Sequence, residues 1–362
     1  MTDEPSSPKL RALPVQLIET GDGVILKRGR VEIKISGEGA LESVQVLLEA
    51  AADQPATEEE ICALYAEPER AAVARLIHEL LDRGLLVPAE TLAAEIEVPE
   101  SSLDVFYWHF GARSGEVRQR LSAVQLVIVG VNSISRQLAG SLRASDLERV
   151  SVVDYPLLRN LRLFDDEGAL RADQWPLDLE PLEYRDWLAG LDGASWDCLV
   201  ATSDFGGQQL MREWNRVCLE RGCHFLPVVL QDLVGYVGPL VVPGETACYE
   251  CLRARQNAHL KDPETERAAE YAAFEGQEVV GFHPAMASVL GDVAAIELLK
   301  FYGIGPPLWR VGALIEVNLL ATALKAHKVL KVPRCAACSA LNERSSIALT
   351  RSFFPADPAE DQ

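Results

Sequence analysis

Four cysteines in two short motifs are the residues of this chain whose spacing most clearly predicts a ligand site. Cys248 and Cys251 belong to the sequence CYEC, and Cys335 and Cys338 belong to CAAC. Two Cys-x-x-Cys pairs far apart in a chain are typical of one tetrahedral site, in which four thiolates hold a structural zinc ion. The alternative is two unrelated pairs, one of them redox-active. Because four protein ligands leave no open position on zinc, we expect this site to stabilise the fold while the function resides elsewhere.

A glycine turn between a predicted strand and a predicted helix is the second candidate site. VQLVIVG has the pattern of a buried strand, SISRQLAGSLRA that of a helix, and RVSVVD that of a strand ending at Asp154. This β-α-β order is typical of nucleotide-binding folds, whose phosphate turn reads Gly-x-Gly-x-x-Gly. Here only Gly130 is a glycine, and Asn132 and Ser135 occupy the other two positions. We therefore predict that the turn does not bind ATP. Asp154 either binds a ribose or caps the strand end.

Composition limits the classes of partner. The chain has 362 residues, enough for two or three domains. Its net charge of −20 argues against DNA or RNA as the main partner, because phosphate binding requires a basic face. No apolar run reaches transmembrane length and the first ten residues are polar, so we expect a cytoplasmic protein with no membrane partner. The other four cysteines lie in apolar or helical patterns and are expected in the core: Cys62, Cys198, Cys218 and Cys223.

Residues 13–90 have the pattern of a small winged helix-turn-helix. Three short strands, VQLIET, GVILKRG and RVEIKIS, precede three helical segments and a last strand, LLVPAE. Thr57 and Glu60 predict a capping box at the start of the second helix. A recognition helix for DNA would be basic, but the third helix mixes the two signs of charge: Arg75, His78, Glu79 and Asp82.

The chain therefore divides into four predicted segments. The winged domain spans 13–90, a helical connector spans 91–120, an α/β domain that contains the cysteine motifs spans 121–343, and a loose tail spans 344–362. The predicted fold class is α/β, with a three-stranded sheet and three helices followed by a Rossmann-like domain with a structural zinc.

With these pieces placed, the chain resembles the ThiF-like adenylating superfamily, the fold of the ubiquitin-activating enzymes. The matching segments are Asp154 for the ribose acid, Asn160-Leu161-Arg162 for the arginine segment, Ala201-Thr202-Ser203-Asp204 for a strand end, Pro243-Gly244 before the first cysteine pair, and the two cysteine pairs. The chain departs from the family in its glycine turn and in Ser203, which stands where the family places a magnesium-binding aspartate. Asp204 is the neighbour that could substitute. The resemblance thus implies a degenerate nucleotide site at Gly130, Asn132, Asp154, Arg162 and Asp204.

A narrower resemblance, to the leader-peptide-binding partner proteins of azoline and azole peptide biosynthesis, rests on GPLVVPGETACYECLRAR, on HPAMASVLGDVAAIELLK and on the domain order. It implies a non-catalytic subunit that binds the leader of a ribosomal precursor peptide and activates an ATP-dependent YcaO-type cyclodehydratase. The leader would add as a strand beside the third strand and against the third helix. The implied peptide-binding residues are Lys27, Arg28, Val31, Ile33, Lys34, Ile35, Arg75 and His78.

Two alternatives remain open at this point. Lys27, Arg28, Arg30 and Lys34 form a basic island suited to an acidic leader, but lysines on an edge strand also serve to deter aggregation. The alternative function is an ATP-dependent adenylating enzyme of the ThiF class that acts on a peptide. A homodimer is compatible with either function.

Overall fold

The computed structural model describes residues 7–52, 54–89, 102–190, 195–231, 233–259, 262, 264–265, 281–305 and 311–339. The chain divides into two units, Met1–Val117 and Arg118–Gln362. The predicted tail, 344–362, and residues 91–101 of the predicted connector lie outside the described residues. The domain boundaries derived from the sequence stay predictions.

Four short strands open the first unit: β1 (Leu10–Ala12), β2 (Gln16–Thr20), β3 (Gly23–Arg28) and β4 (Val31–Ser36). β2, β3 and β4 form an antiparallel sheet in that order. The two-residue turn between β3 and β4 begins at Gly29, whose φ of +56° is accessible to glycine without strain. A Cβ atom at this position would lie 2.2 Å from the His109 ring, so the turn also requires glycine for space.

Three helices and a fifth strand complete this unit: α1 (Ala40–Ala52), α2 (Glu58–Ala63), α3 (Glu67–Asp82) and β5 (Leu86–Pro88). The capping box at α2 is confirmed, since the Thr57 hydroxyl accepts from the Glu60 amide at 3.2 Å and the Glu60 carboxylate accepts from the Thr57 amide at 2.8 Å. β5 pairs antiparallel with β1, a strand that the sequence pattern missed.

One apolar core joins the sheet and the helices of the first unit. Leu26 of β3 and Leu47 of α1 are fully buried, and Ile77 and Leu80 of α3 pack into the same cluster. The predicted three-stranded sheet and three helices are therefore present, and their winged arrangement stays a prediction. A further helix, α4 (Ser102–Trp108), is held by Trp108, whose indole N–H donates to the Gly84 carbonyl at 2.9 Å.

The second unit is built on an eight-stranded sheet. Its strands are β6 (Leu126–Val129), β7 (Val150–Asp154), β8 (Leu182–Glu183), β9 (Cys198–Ser203), β10 (His224–Gln231), β11 (Val234–Val237), β12 (Ala313–Asn318) and β13 (Ala323–Lys328). Their order is β13-β12-β11-β10-β9-β6-β7-β8. The strands from β10 to β8 in that order are parallel, and β11, β12 and β13 extend the sheet antiparallel.

Helices connect and cover these strands: α5 (Ser114–Ala123), which spans the boundary between the units, α6 (Ser133–Arg143), α7 (Tyr184–Ala189), α8 (Gln208–Arg221), α9 (Tyr249–Asn257) and α10 (Pro284–Leu299). All residues of β6 and β9 are buried, as expected of parallel strands covered on both faces. The predicted α/β class and the β6-α6-β7 unit are confirmed. No helix in the described part of the chain is long and apolar enough to cross a membrane.

Candidate functional site

The four cysteines of the two predicted pairs come together at one end of α9. Cys248 is the residue that caps the N-terminus of α9, and Cys251 lies in the first turn of this helix. Cys335 and Cys338 follow β13 in a tight turn, 87 residues further along the chain. The sulfur atoms of all four residues lie within 4.8 Å of one another, and three of the residues are buried. The structure thus joins the two motifs into one site.

The spacing of these sulfurs identifies the kind of site. Sγ–Sγ distances are 3.8 Å for Cys248–Cys251, 3.6 Å for Cys248–Cys335 and 3.6 Å for Cys251–Cys338. A disulfide requires about 2.05 Å, whereas the edges of a tetrahedron with Zn–S bonds of about 2.3 Å measure about 3.8 Å. The Val332 amide also donates to Cys251 Sγ at 3.3 Å. The four sulfurs could therefore hold a metal ion and are compatible with zinc.

Charged residues surround the cysteine site. Arg212 of α8 forms an ion pair of 3.2 Å with Glu250, which lies between the two cysteines of the first pair. Burial raises the pKa of the Glu250 carboxyl, and the nearby Arg212 guanidinium opposes that increase. Arg255 of α9 donates to the carbonyls of Leu330 and Lys331 at 2.7 and 3.2 Å. These contacts attach the segment after β13 to α9 independently of a metal.

The predicted nucleotide turn is closed by its own side chains. Gly130 has φ +107°, and a Cβ atom there would lie 2.8 Å from the Thr202 carbonyl, so glycine is required by the packing of the turn. Asn132 is fully buried and caps α6. Its Oδ1 accepts from the amides of Ile134 and Ser135 at 3.1 and 3.0 Å. Its Nδ2 donates to Leu158 and Thr202.

The remaining amides at this helix N-terminus are also bonded within the protein. Ser135 Oγ accepts from the Asn132 amide at 2.9 Å, and the Asp204 carboxylate accepts from the Ser133 amide at 3.0 Å. A helix N-terminus binds phosphate through amides of this kind and through the positive end of the helix dipole. In this chain four consecutive amides already donate to side chains, and one of the acceptors is a carboxylate.

Asp204 is therefore part of the cap of α6. The residue is fully buried and accepts a second hydrogen bond, of 2.8 Å, from Asn160 Nδ2. Burial raises the pKa of the Asp204 carboxyl, and the hydrogen bonds from Asn160 and Ser133 oppose that shift. The structure thus places the aspartate that could substitute for a magnesium ligand against protein donors. Asn160 belongs to the segment that resembles the family's arginine motif. The resemblance singled out this segment but did not indicate that Asn160 bonds to Asp204.

Asp154, the predicted ribose acid, is bound by a residue that sequence reasoning missed. Arg159 donates to both carboxylate oxygens of Asp154 at 2.6 Å, and its guanidinium lies 4.7 Å from the centre of the Phe164 ring. The hydrogen bonds with Asp154 raise the pKa of Arg159. Arg162, which was predicted for the same site, is exposed, and its backbone amide donates to Asn160 Oδ1. The observed contact of Asp154 is thus an ion pair with Arg159 at the end of β7.

The hydrogen-bond pattern of β4 shows which of its backbone groups point to the predicted peptide-binding edge. β4 pairs only with β3 among the described strands, so its other side is an open edge. The Gly37 amide donates to the Asp22 carbonyl at 2.9 Å, one step beyond the last paired residues. Because hydrogen-bonded and non-bonded pairs alternate along an antiparallel ladder, the bonded residues of β4 are Val31, Ile33 and Ile35. The backbone groups of Glu32, Lys34 and Ser36 consequently point to the open edge.

Three side chains of the predicted basic island already have partners within the protein. Lys27 forms an ion pair of 2.6 Å with Glu32, and Lys34 forms one of 2.9 Å with Asp22. The Lys34 hydrogen bond lowers the pKa of the Asp22 carboxyl. Arg28 is buried, donates to the Pro14 carbonyl at 2.7 Å and lies over the Trp108 ring. Arg28 is therefore a structural residue of the first unit, and the two lysines already have acidic partners.

The two residues predicted on α3 lie on its exposed side. His78 Nε2 lies 3.5 Å from the Glu58 carboxylate of α2, and Arg75 Nε donates to the Ala71 carbonyl at 3.2 Å. The opposite face of α3 carries Ile77, which shares the core cluster with Ile33 of β4. The inner face of β4 and the inner face of α3 thus meet the same core, while Arg75 and His78 point away from it.

Comparisons with known proteins place this fold. No family model and no curated protein matches the chain. The solved structure of the microcin C7 biosynthetic enzyme MccB with N-formylated MccA is similar, with 17% identity, a TM-score of 0.67, and coverage of 91% of this chain and 100% of that one. E. coli MccB with ATP is similar at 16% identity and a TM-score of 0.63, covering 91% and 99%.

A heterocyclase in complex with substrate and cofactor is also similar, with 20% identity and a TM-score of 0.55. The match covers 96% of this chain and 42% of the heterocyclase, so this chain spans less than half of that protein. At these identities, the likeness to MccB and to the heterocyclase establishes the fold.

Proposed function

We propose that this chain is a peptide-binding subunit that recognises the leader of a ribosomal precursor peptide and presents the precursor to a YcaO-type cyclodehydratase. The observation that carries the proposal is the open edge of β4, where alternate residues direct their N–H and C=O groups outward. The resemblance of the zinc region to leader-binding partner proteins supports it. This chain also shares its fold with MccB, which was solved with the peptide MccA, and with a heterocyclase solved with its substrate.

The proposed binding mode is addition of a strand to the three-stranded sheet. Main-chain hydrogen bonds to Glu32, Lys34 and Ser36 supply affinity, and side-chain contacts supply selectivity. The ion pairs of Lys27 and Lys34 are exposed, and exposed pairs contribute little to stability. An acidic leader residue can therefore exchange with Glu32 or Asp22 at little cost in stability.

Two proline substitutions on opposite edges of the same sheet test this proposal. Lys34→Pro removes an outward N–H from β4, and Glu19→Pro removes an outward N–H from β2, because Glu19 faces Val24 at a non-bonded pair. The ligand is a synthetic leader from a precursor peptide identified by a search of the genes around that of this chain. We expect Lys34→Pro to weaken binding about fivefold, the equivalent of one hydrogen bond of about 1 kcal/mol, and Glu19→Pro to leave it unchanged.

The controls for this experiment follow from the register. Ile33 is unsuitable for a proline test because its N–H points towards β3, so Ile33→Pro would weaken the sheet itself. Circular dichroism establishes that both variants are folded. Equal leader affinity of folded Lys34→Pro and wild type, or equal losses in the two variants, would remove the β4 edge from the binding mode.

We also propose that Cys248, Cys251, Cys335 and Cys338 hold a structural zinc ion. With four thiolate ligands the ion would have no open position for substrate, and it would connect α9 to the segment after β13. In this role the metal would stabilise the second unit. Its ligands lie far along the chain from β4, the proposed peptide-binding strand.

An adenylating enzyme is the second candidate function, since MccB, which shares the fold, has been solved with ATP. The contacts at α6 weigh against it, because its first four amides already have protein acceptors, with Asp204 among them. Calorimetric titration with ATP and magnesium, together with a pyrophosphate exchange assay, separates the two functions. We expect no binding tighter than about millimolar. Micromolar affinity would favour the adenylating enzyme.

A further inference from the structure

Two cysteines outside the metal site meet at the C-terminus of α8. The helix ends in a Schellman motif: Gly222 has φ +70°, the Cys223 amide donates to the Cys218 carbonyl at 3.1 Å, and the Gly222 amide donates to the Leu219 carbonyl at 3.4 Å. In this motif the side chains at the positions that Cys218 and Cys223 occupy frequently make an apolar contact. Here both side chains are thiols.

The backbone geometry of this turn is compatible with a disulfide between the two residues. The hydrogen bond of 3.1 Å from the Cys223 amide to the Cys218 carbonyl limits the separation of their Cα atoms to at most about 7 Å, given standard bond lengths. Disulfides span Cα separations of about 4.4–6.8 Å. Cys223 Sγ also lies 3.8 Å from the Cys218 carbonyl oxygen, on the same side of the turn.

The two thiols have different surroundings. Cys218 is fully buried and Cys223 is 8% exposed, so a small oxidant reaches Cys223 first. The neighbouring Cys218 thiol lowers the pKa of Cys223, burial opposes this shift, and the Arg221 charge acts in the lowering direction. Burial raises the pKa of Cys218. The Arg221 guanidinium is held 5.2 Å from the centre of the Trp196 ring.

We propose that Cys218 and Cys223 form a redox pair, in which a peroxide oxidises Cys223 and Cys218 resolves the product to a disulfide. The Cys223 thiolate attacks one peroxide oxygen, the O–O bond breaks, and a sulfenic acid and a water molecule form after proton uptake. The Cys218 thiol then attacks the sulfenic sulfur, the S–S bond forms, and the second water leaves. Two thiols and one hydrogen peroxide thus give one disulfide and two waters.

Peptide mapping of the full chain, purified under reducing conditions, tests this pair. The protein is freed of reductant, exposed to hydrogen peroxide, alkylated and digested with trypsin and chymotrypsin. Trypsin cuts after Arg221, between Cys218 and Cys223, and chymotrypsin cuts after Phe225 and Tyr236, which separates Cys223 from Cys248 and Cys251. We expect the peptides that contain Cys218 and Cys223 to remain joined after oxidation and to separate after treatment with dithiothreitol. The intact mass should fall by about 2 Da, the two hydrogens lost when a disulfide forms.

Three variants assign the roles. Cys223→Ser should abolish the cross-link, and Cys218→Ser should leave a sulfenic acid at Cys223 that dimedone labels. Cys198→Ser, which alters another fully buried thiol, should leave the cross-link intact. The wild-type map alone is decisive if a variant does not fold. Alkylation of both Cys218 and Cys223 after peroxide, or cross-links confined to Cys248, Cys251, Cys335 and Cys338, would overturn the proposal.

Discussion

Asn132→Ala tests whether the turn after β6 is occupied by its own side chains. The substitution removes the Oδ1 cap of α6, which is worth about 1 kcal/mol at a helix N-terminus. It also removes the buried Nδ2 donor from Leu158 and Thr202, and buried acceptors left unsatisfied cost about 1–3 kcal/mol. We expect the free energy of unfolding of the second unit to fall by about 3 kcal/mol in total.

Urea denaturation followed by tryptophan fluorescence measures this loss, because five of the six tryptophans belong to Arg118–Gln362. With a slope of about 2 kcal/mol per molar urea, the midpoint should fall by about 1.5 M. Asn132→Ser keeps a capping oxygen but loses the Nδ2 donor, so its midpoint should lie between those of wild type and Asn132→Ala. Asn318→Ala, which removes a single bond on an exposed turn, is the control and should change stability little. A loss under about 1 kcal/mol for Asn132→Ala would refute the capping role and leave the amides of α6 open to a ligand.

Two further predictions concern the second unit. Cys335→Ser should lower both the zinc content, measured by atomic absorption, and the melting temperature, because loss of a metal ligand is loss of folding free energy. The control Cys62→Ser should change neither quantity. A fully stable protein without zinc would contradict the proposed site. Because burial raises the folded-state pKa of Asp204 above its unfolded value of about 3.9, the stability associated with the protonated carboxyl should be lost as the pH rises through the folded-state pKa. Urea titrations at several pH values above 4 should therefore show wild type losing stability relative to Asp204→Asn, and a pH-independent difference would argue against a raised pKa.

The features that sequence reasoning recovered are those set by local pattern. A continuous apolar strand, a helix and a second strand predicted β6-α6-β7, and the paired Cys-x-x-Cys motifs predicted a shared site whose sulfurs the fold brings together. The Thr57 capping box is likewise determined by residues three positions apart. In these cases the partners lie within a few residues, or the ligand chemistry itself requires them to meet.

The features that were missed depend on which side chains meet across the fold. Nothing near Asp154 in the sequence distinguishes a ribose ligand from a partner of Arg159, and the contact of Arg28 with Pro14 and Trp108 joins three separate segments. β1 escaped notice because three residues give no periodicity, and its partner β5 lies more than seventy residues away. One signal was available: an asparagine directly before a helix is a strong N-cap, so Asn132 could have been interpreted as a cap as well as an obstacle.

The closed turn explains how the N-terminus of α6 is stabilised by protein groups alone. The first amides of a helix whose N-terminus is buried lie inside the protein, and each buried amide without a partner costs free energy. A bound phosphate would satisfy them in an ATP-dependent enzyme. Here Asn132, Ser135 and Asp204 satisfy them permanently, and Arg159 similarly neutralises Asp154. Replacing Asn132 with glycine alone would therefore leave the Asp204 carboxylate bonded to the Ser133 amide, so we expect ATP binding at this helix to require changes at both positions.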